Sequence, residues 1–182
     1  MSFSFTPCPI PGLFEIQPNV FSDNRGYFFE SYSELDFKAA GIYAPFVQDN
    51  QSMSVKGTLR GLHFQKKHPQ GKLVRAIEGE IFDVAVDIKK DSPTFGKWYG
   101  IILSSKKLNQ FYIPPGFAHG FLALTDNAIF SYKCTDFYYP DDDFGIIWND
   151  PVIGIHWPEI NMDYILSEKD KKLPLLDTLI LK

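Results

Sequence analysis

The fold class is decided by residues 72–88, KLVRAIEGEIFDVAVDI. Its second half, residues 80–88, alternates between two sets of side chains, as a β-strand does. The two faces carry Val84, Val86 and Ile88 on one side and Asp83, Ala85 and Asp87 on the other. Residues 72–78 predict a further strand, and Gly79 supplies the turn between the two.

Similar short apolar or alternating runs recur on both sides of this stretch, separated by Gly, Pro, Asn and Asp. They predict strands at about residues 58–65, 98–104, 110–113, 120–124 and 128–135. Helical signals are scarce. Ser33 can cap a short helix that Gly41 closes, and Ser167 with Asp170 resembles a capping box. We therefore predict an all-β sandwich or barrel with a few short helices.

The composition is that of a globular protein. The chain has 182 residues, of which 45% are hydrophobic and 22% charged, so it can form one domain, residues 1–182, with its own core. The net charge of −4 argues against a broad basic surface for nucleic acid. No apolar run reaches membrane-spanning length and no charged leader precedes one, so we expect no membrane association and a cytoplasmic location.

His63, in the segment RGLHFQ, is the first candidate for proton transfer. On a flat strand its side chain and that of Arg60 point to opposite faces, but a bulge at Gly61 would bring both to one side. An imidazole exchanges protons near neutral pH, and a guanidinium suits phosphate. The alternative is a core histidine bound to a backbone carbonyl.

Four further positions offer a charge or a proton. Lys72 and Arg75 lie on opposite faces of one predicted strand, so one of them can point inward, where a cation requires an anion. Lys72 could there stabilise an oxyanion, and Arg75 could simply be solvated. His119, in PPGFAHGF, is placed in a turn, either on the surface or at a barrel mouth where it could hold a phosphate or a carbonyl. Tyr132 either bonds to the backbone or delivers a proton to a carbanion.

The sequence argues against several kinds of cofactor site. It contains no H-x-H pair, and neither Cys8 nor Cys134 lies near a histidine, although a metal site needs three or four ligands close together. It also lacks a P-loop and a G-x-G-x-x-G fingerprint. Metal, ATP and NAD sites of these types are therefore unsupported, and we expect the two cysteines to be reduced thiols.

Eight motifs, in this order, resemble those of the dTDP-4-dehydrorhamnose 3,5-epimerase family. They are SDNRGYFFE (22–30), FVQDNQS (46–52), RGLHFQ (60–65), QGKLVRAIEGEIFDVAVDIKKDSPTFGKW (70–98), PPGFAHGF (114–121), SYKCTDFYYP (131–140), GIIWNDPVIGIHWP (145–158) and LSEKDKKLPLLD (166–177). The resemblance runs over nearly the whole chain. It implies a jelly-roll (cupin-like) β-barrel, usually a homodimer, that works without a metal or cofactor.

The resemblance also implies a reaction. The family inverts C3 and C5 of dTDP-4-dehydro-6-deoxy-D-glucose and forms dTDP-4-dehydro-L-rhamnose. Both carbons lie next to the C4 ketone, so removal of either proton gives an enolate. Inversion requires a base on one face of the sugar, a proton donor on the other and a group that stabilises the enolate oxygen.

The same resemblance assigns residues to these roles. His63 matches the base, Asp170 its carboxylate partner, Lys72 the group at the enolate oxygen and Tyr132 the opposite-face proton donor. The substrate-binding positions are Arg25, Glu30, Gln48, Asp49, Asn50, Arg60, His119, Tyr138, Asp143 and Lys169. Tyr138 is expected near the thymine. Asp143 stands where the family often has Glu, so its contact with the base or ribose has a shorter reach.

Three alternatives stay open at this stage. A relative with the same barrel can invert only C5 or C3, or act on another nucleotide sugar, because such enzymes share the same base and acid. A sugar-nucleotide binding module would not require two proton-transfer groups. A metal-dependent cupin oxygenase would require bound iron.

Overall fold

The computed structural model describes residues 2–180, which form mainly antiparallel β-strands. The strands are β1 (Phe3–Pro7), β2 (Phe14–Pro18), β3 (Phe21–Asp23), β4 (Gly26–Phe28), β5 (Gln48–Ser54), β6 (Leu59–Gln65), β7 (Lys72–Glu78), β8 (Glu80–Asp87), β9 (Trp98–Ser104), β10 (Gln110–Ile113), β11 (Phe117–Ala123), β12 (Ala128–Cys134) and β13 (Asp143–Gly145). The helices are α1 (Glu34–Ala39) and α2 (Leu176–Ile180), with single 3-10 turns at Pro140–Asp142 and Asp170–Lys172. The predicted all-β class with a few short helices is confirmed.

Two antiparallel sheets pack face to face. The six-stranded sheet has the order β1-β2-β10-β7-β12-β5, and the five-stranded sheet has the order β13-β6-β11-β8-β9. β7 lies in the first sheet and β8 in the second, so Gly79, with a φ of +74°, turns the chain from one sheet to the other. Apolar side chains from both sheets fill the space between them, including Val74, Phe111, Phe130, Ile81, Leu103 and Phe121. This is the double-sheet arrangement of a jelly roll.

The strand β8 is buried on both of its faces. Val84 and Val86 point away from the six-stranded sheet and pack under the C-terminal part of the chain, where Ile146 and Ile153 cover them. The opposite face, which carries Asp83, points into the space between the sheets. The face that looks more polar in the sequence is therefore the interior of the barrel.

The outer face of the six-stranded sheet is covered at one end by α1 and the residues next to it. This cluster contains Phe3, Ile16, Phe37, Ile42, Leu73 and Tyr112. Helix α1 begins as predicted, because the Ser33 hydroxyl accepts a hydrogen bond from the Asp36 N–H at 3.4 Å, and Gly41 follows its end.

Two elements differ from the sequence prediction. β11 begins at Phe117, so His119 lies inside a strand and not in a turn. The polar run that starts at Gln48 forms the edge strand β5, which carries no apolar alternation because its inner face is polar. Among residues 2–180, no helix has both the length and the apolar character needed to span a membrane.

Candidate active site

A cavity of about 500 Å³ lies between the two sheets. Its walls come from β5, β6, β7, β11 and β12 and from residues 165–170. The polar lining consists of Ser52, Thr58, Arg60, His63, Lys72, His119, Tyr132, Ser167, Lys169 and Asp170. The apolar lining consists of Leu59, Phe121, Phe130, Ile165 and Leu166. All four residues expected to be catalytic line this one cavity.

A bulge in β6 brings two of the polar residues to the cavity. His63 pairs with His119 of β11 whereas Arg60 pairs with Phe121, so β6 has one more residue than β11 over this interval. Gly61 permits the bulge, since its φ is +101° and a Cβ there would lie 2.6 Å from the carbonyl oxygen of His119. Arg60 and His63 therefore reach the same side, and the predicted bulge is confirmed.

The ring of His63 is held by Asp170. Its Nε2 donates a hydrogen bond to the Asp170 carboxylate at 2.7 Å, which leaves Nδ1 as the nitrogen that can accept a proton. Burial raises the pKa of Asp170, but hydrogen bonds from the side chains of His63 and Ser167 and from the Gly61 N–H outweigh it, and the pKa lies below its ordinary value. Asp170 is therefore ionised at neutral pH and can stabilise an imidazolium.

The position of Asp170 combines a local and a distant interaction. The Ser167 hydroxyl accepts a hydrogen bond from the Asp170 N–H at 3.0 Å, as expected at the start of a helical turn. The Asp170 carboxylate does not complete a capping box. It reaches β6 instead, so the interpretation of this side chain as a local cap is wrong.

Lys72 projects from β7 into the cavity. Burial lowers its pKa, and the negative groups around it act in the opposite direction. A partly desolvated ammonium interacts strongly with an oxyanion, because little water screens it. Arg75 lies on the other face of β7, where it is half-buried with its guanidinium 5.6 Å from the ring centroid of Phe29, and not free in solvent as one reading of the sequence had it.

Tyr132 approaches the cavity from the sheet opposite His63. It lies on β12 of the six-stranded sheet, whereas His63 lies on β6 of the five-stranded sheet, so a ligand in the cavity is flanked by the two groups. The ring of Phe130 packs at 5.3 Å from the Tyr132 ring. Burial raises the pKa of Tyr132, so the phenol keeps its proton at neutral pH.

His119 forms a second histidine–aspartate pair. It is only 7% exposed, and its Nε2 donates to both carboxylate oxygens of Asp83 at 3.0 and 2.9 Å. Burial lowers the pKa of His119, and the charge of Asp83 acts against this effect. Sequence reasoning did not find Asp83 as a partner. The available signal was an acidic residue that alternates with apolar ones in a buried strand.

A carboxylate joins two of the expected substrate-binding residues beside the cavity. Asp143 accepts hydrogen bonds from the Lys169 ammonium at 2.5 Å and from the Tyr138 hydroxyl at 2.9 Å. The hydrogen bond to Asp143 raises the pKa of Tyr138. Lys169 lines the cavity, whereas Tyr138 and Asp143 lie behind it.

The expected residues of β5 divide between the two faces of the strand. Gln48 and Asn50 share a face and are joined by a 3.1 Å hydrogen bond, but neither lines the cavity. Ser52, two residues further on, continues this polar face and does line the cavity. Asp49 points to the opposite face and pairs with Lys133 at 2.9 Å, so it does not reach the cavity of its own chain.

Arg25 and Glu30 also lie outside the cavity of their own chain. Arg25 is 86% exposed in the turn of the β3–β4 hairpin, where it pairs with Asp23 at 2.5 Å. Glu30 is exposed just after this hairpin. The hairpin forms a two-stranded sheet of its own, so nothing in the fold of one chain brings these residues to His63.

The part of the chain that the structure describes contains no group of three or more His, Cys, Asp or Glu side chains placed to hold a metal ion.

Thr58 and Ser167 line the cavity but were not among the expected site residues. Both are small hydroxyl residues next to strand or turn boundaries, where sequence patterns favour capping and turn roles.

Comparisons with known proteins identify the family of this chain. The family model described as dTDP-4-dehydrorhamnose 3,5-epimerase matches residues 7–178. A dTDP-4-dehydrorhamnose 3,5-epimerase from Methanothermobacter thermautotrophicus is 56% identical over 170 residues, which cover 93% of this chain and 92% of the relative. The structure of a dTDP-6-deoxy-D-glucose-3,5-epimerase from Legionella pneumophila in complex with dTDP-4-keto-L-rhamnose has a TM-score of 0.93 at 48% identity and covers 96% of this chain and 93% of that one. A 3'-monoepimerase from Streptomyces bikiniensis in complex with dTDP-quinovose has a TM-score of 0.89 at 32% identity, with coverage of 96% and 89%.

Similarity of this extent covers both sheets and the cavity between them. It defines the chain as an isomerase, a carbohydrate epimerase with a cupin-like fold. The chain belongs to the dTDP-4-dehydrorhamnose 3,5-epimerase family. The resemblance identified from the sequence motifs is confirmed.

Proposed function

We propose that this chain converts dTDP-4-dehydro-6-deoxy-D-glucose to dTDP-4-dehydro-L-rhamnose by inverting C3 and C5, in dTDP-L-rhamnose biosynthesis. One observation carries the proposal. His63, bound to the carboxylate of Asp170, and Tyr132 line one cavity from opposite sheets. Inversion at a carbon needs a base and an acid on opposite faces, whereas binding alone needs neither.

The reaction follows from these positions. His63 removes the proton from C3 or C5 through Nδ1, and the electron pair of the C–H bond moves into an enolate whose charge lies on the C4 oxygen. Asp170 stabilises the resulting imidazolium, and Lys72 stabilises the enolate oxygen. Tyr132 then protonates the planar carbon from the other face and recovers its proton from solvent, to which His63 releases the proton that it removed. Substrate and product are isomers of one oxidation level, so no redox cofactor is consumed.

The nucleotide half of the substrate is assigned to the polar residues around the cavity. Arg60 and Lys169 line it as cations, which suits a diphosphate. His119 donates its Nε2–H to Asp83, so the Nδ1 of its neutral ring can only accept a hydrogen bond, and a hydroxyl group of the nucleotide can donate it. Tyr138 presents a half-exposed ring for the thymine, and its hydroxyl is fixed by Asp143. The side-chain amides of Gln48 and Asn50 supply hydrogen-bonding groups for the nucleoside.

A solvent-exchange experiment tests the function. The protein is incubated with dTDP-4-dehydro-6-deoxy-D-glucose in D₂O, deuterium is located by NMR, and the product is reduced to fix its stereochemistry. Deuterium at both C3 and C5 with an L-rhamno product is the expected result. Binding of the substrate without any exchange would contradict the proposal and favour a binding module.

The second candidate is a single-site epimerase. The structural similarity to a 3'-monoepimerase, with a TM-score of 0.89, supports this candidate. The same barrel can serve an enzyme that inverts one carbon or one that inverts two. The same experiment distinguishes the two, since deuterium at one carbon alone identifies a single-site enzyme.

We further infer that the chain works as a homodimer in which the β3–β4 hairpin of each copy serves the cavity of the other. Phe21, Tyr27 and Phe28 are exposed on this hairpin, and an apolar patch of this kind is typical of a protein interface. Arg25 and Glu30, which match family positions for substrate binding, lie on or next to the same hairpin.

We place the reaction in the cytoplasm, because a charged dTDP-sugar does not cross a bilayer unaided.

A further inference from the structure

A buried glutamine beside the site has no role in the proposed chemistry. Gln65 lies on β6 two residues after His63 and is 6% exposed. Its Nε2 donates to the carbonyl oxygens of His68 at 2.7 Å and Phe137 at 3.1 Å. Its Oε1 accepts the N–H of Tyr139 at 2.8 Å. Both donors of the amide and its acceptor oxygen are therefore in use.

Two of the three partners of Gln65 belong to an irregular segment, residues 137–139, which leaves two aromatic rings half exposed. Phe137 is 54% exposed and Tyr138 is 52% exposed. The segment has no helix or strand of its own, and its backbone is bonded instead to two glutamine side chains. Gln48 of the six-stranded sheet accepts the Tyr138 N–H at 3.0 Å, and Gln65 of the five-stranded sheet holds the residues on either side.

The loop between β6 and β7 reinforces this arrangement. The carboxylate of Asp142 accepts the backbone N–H groups of Lys66, Lys67 and His68 at 2.8 to 3.2 Å. The His68 ring stacks on Tyr139 with the centroids 3.9 Å apart. The loop and the aromatic segment therefore hold each other. We call these residues the clamp: Gln65, His68, Tyr139 and Asp142.

We propose that Gln65 is a positioning residue that holds the segment 137–139 as a preformed platform for the nucleoside half of the substrate. The inference rests on the proposed function, which places the thymine at Tyr138. A segment that is already ordered loses little conformational entropy when a ligand binds, so the clamp contributes to affinity. Gln65 touches neither the reacting carbons nor the nucleotide, so its effect falls on KM and not on the chemical step.

Two substitutions of Gln65 test this role. Gln65→Leu removes all three hydrogen bonds and is expected to raise the Kd for dTDP and the KM for the dTDP-sugar about tenfold, with kcat within about twofold. Gln65→Glu keeps the acceptor for the Tyr139 N–H but loses both donors, so a smaller increase is expected. Gln17→Leu is the matched control, because Gln17 donates a single hydrogen bond to the Lys107 carbonyl on the surface of β2. It should change neither constant.

Hydrogen exchange of the unmodified protein tests the same role without a substitution. The amides of Tyr138 and Tyr139 are expected to be protected before any dTDP is added. In Gln65→Leu the Tyr139 amide should lose this protection and regain it on saturation with dTDP. Exchange in the unmodified protein tests whether the segment 137–139 is preformed even if Gln65→Leu fails to fold.

Two results would overturn the inference. One is rapid exchange of the Tyr139 amide in the free protein. The other is a Gln65 variant that lowers kcat while the Kd for dTDP is unchanged, since Gln65 would then act on His63. A protein that binds no dTDP at all would contradict the proposed function instead, and the exchange pattern of the two amides would still report on the clamp.

Discussion

His63 and His119 lie directly opposite each other on β6 and β11, yet each donates its Nε2 proton to a different aspartate. Asp170 reaches His63 from the C-terminal part of the chain, and Asp83 reaches His119 from β8. His119 is almost completely buried, whereas a third of the His63 side chain is exposed to the cavity. Access to the substrate, more than residue type, therefore assigns the role of base to His63.

Substitution of the base should separate chemistry from binding. His63→Asn is expected to lower the rate of deuterium incorporation about 10³-fold, because the other cavity histidine, His119, is assigned to the nucleotide and not to the reacting carbons. The affinity for dTDP, measured by calorimetry, should be unchanged. His119→Asn is the comparison, and it should weaken dTDP binding while exchange continues at saturation. A His63 variant that still exchanges at the normal rate would exclude it as the base.

The pairing of His63 with Asp170 should appear in both catalysis and stability. Asp170→Asn is expected to lower kcat about 10²-fold, since an amide cannot stabilise the imidazolium. The pKa of Asp170 lies below its ordinary value, so the fold favours the ionised form. This stabilisation is present above the pKa of an aspartate in the unfolded chain, about 4, and is lost as the pH falls through the lowered pKa of the folded state.

Urea unfolding checks the pH dependence. The difference in the free energy of unfolding between the unmodified protein and Asp170→Asn should be larger at pH 7 than at pH 3. An equal difference at both values would mean that the carboxylate charge does not contribute.

Removal of the buried ammonium should affect rate and stability in opposite directions. Lys72→Met is expected to lower kcat about 10²- to 10³-fold with little change in KM, because the charge acts on the enolate. Burial lowers the pKa of Lys72, so the folded state disfavours its charged form. We therefore expect Lys72→Met to unfold at an equal or higher urea concentration. A lower midpoint would show that the ammonium has a stabilising partner in the free protein.

The acid on the opposite wall should be needed for inversion but not for proton removal. Tyr132→Phe keeps His63 and Lys72 in place. His63 should still remove a proton and return a deuteron to the same face of the carbon, so deuterium should still enter the substrate. The recovered sugar should be labelled but not inverted, as read by NMR after reduction. Normal formation of the L-rhamno product by this variant would exclude Tyr132 as the donor.

The proposed homodimer leads to a prediction about mixed subunits. Arg25→Ala should raise KM about tenfold by removing a cation from the partner's cavity. Two variants are then compared. One carries Arg25→Ala together with a disrupted β3–β4 hairpin, and the other carries His63→Asn. Each variant should be nearly inactive on its own. Mixing them after partial unfolding should restore activity, because some dimers then contain one complete cavity. No recovery in mixtures with confirmed exchange of subunits would place Arg25 in its own chain's site.

The barrel and most of the cavity could be predicted from the sequence because they depend on local patterns. The alternation in residues 80–88 and the Gly61 bulge are both decided within a few residues, and these fix β8 and the side to which His63 points. β5 could not be predicted in the same way. Its inward-facing Gln48 and Asn50 are polar, so the strand lacks the apolar alternation that identifies its neighbours.

The partners of the two histidines depended on tertiary structure. Asp170 has a strong local signal, the cap with Ser167, which competes with its interaction across the barrel. Asp83 and His119 meet because β8 and β11 are neighbours, and sequence alone does not give that strand order. The family resemblance identified Asp170, and only the structure identified Asp83.

The separation of His63 from its partner has a consequence for biosynthesis. The two residues are 107 positions apart, and Asp170 follows the last strand of the barrel. A growing chain leaves the ribosome from its N-terminus, so all thirteen strands are made before the carboxylate that orients the base. A nascent chain can therefore assemble its barrel while it is still catalytically incompetent, and activity can be acquired only once Asp170 has left the ribosome.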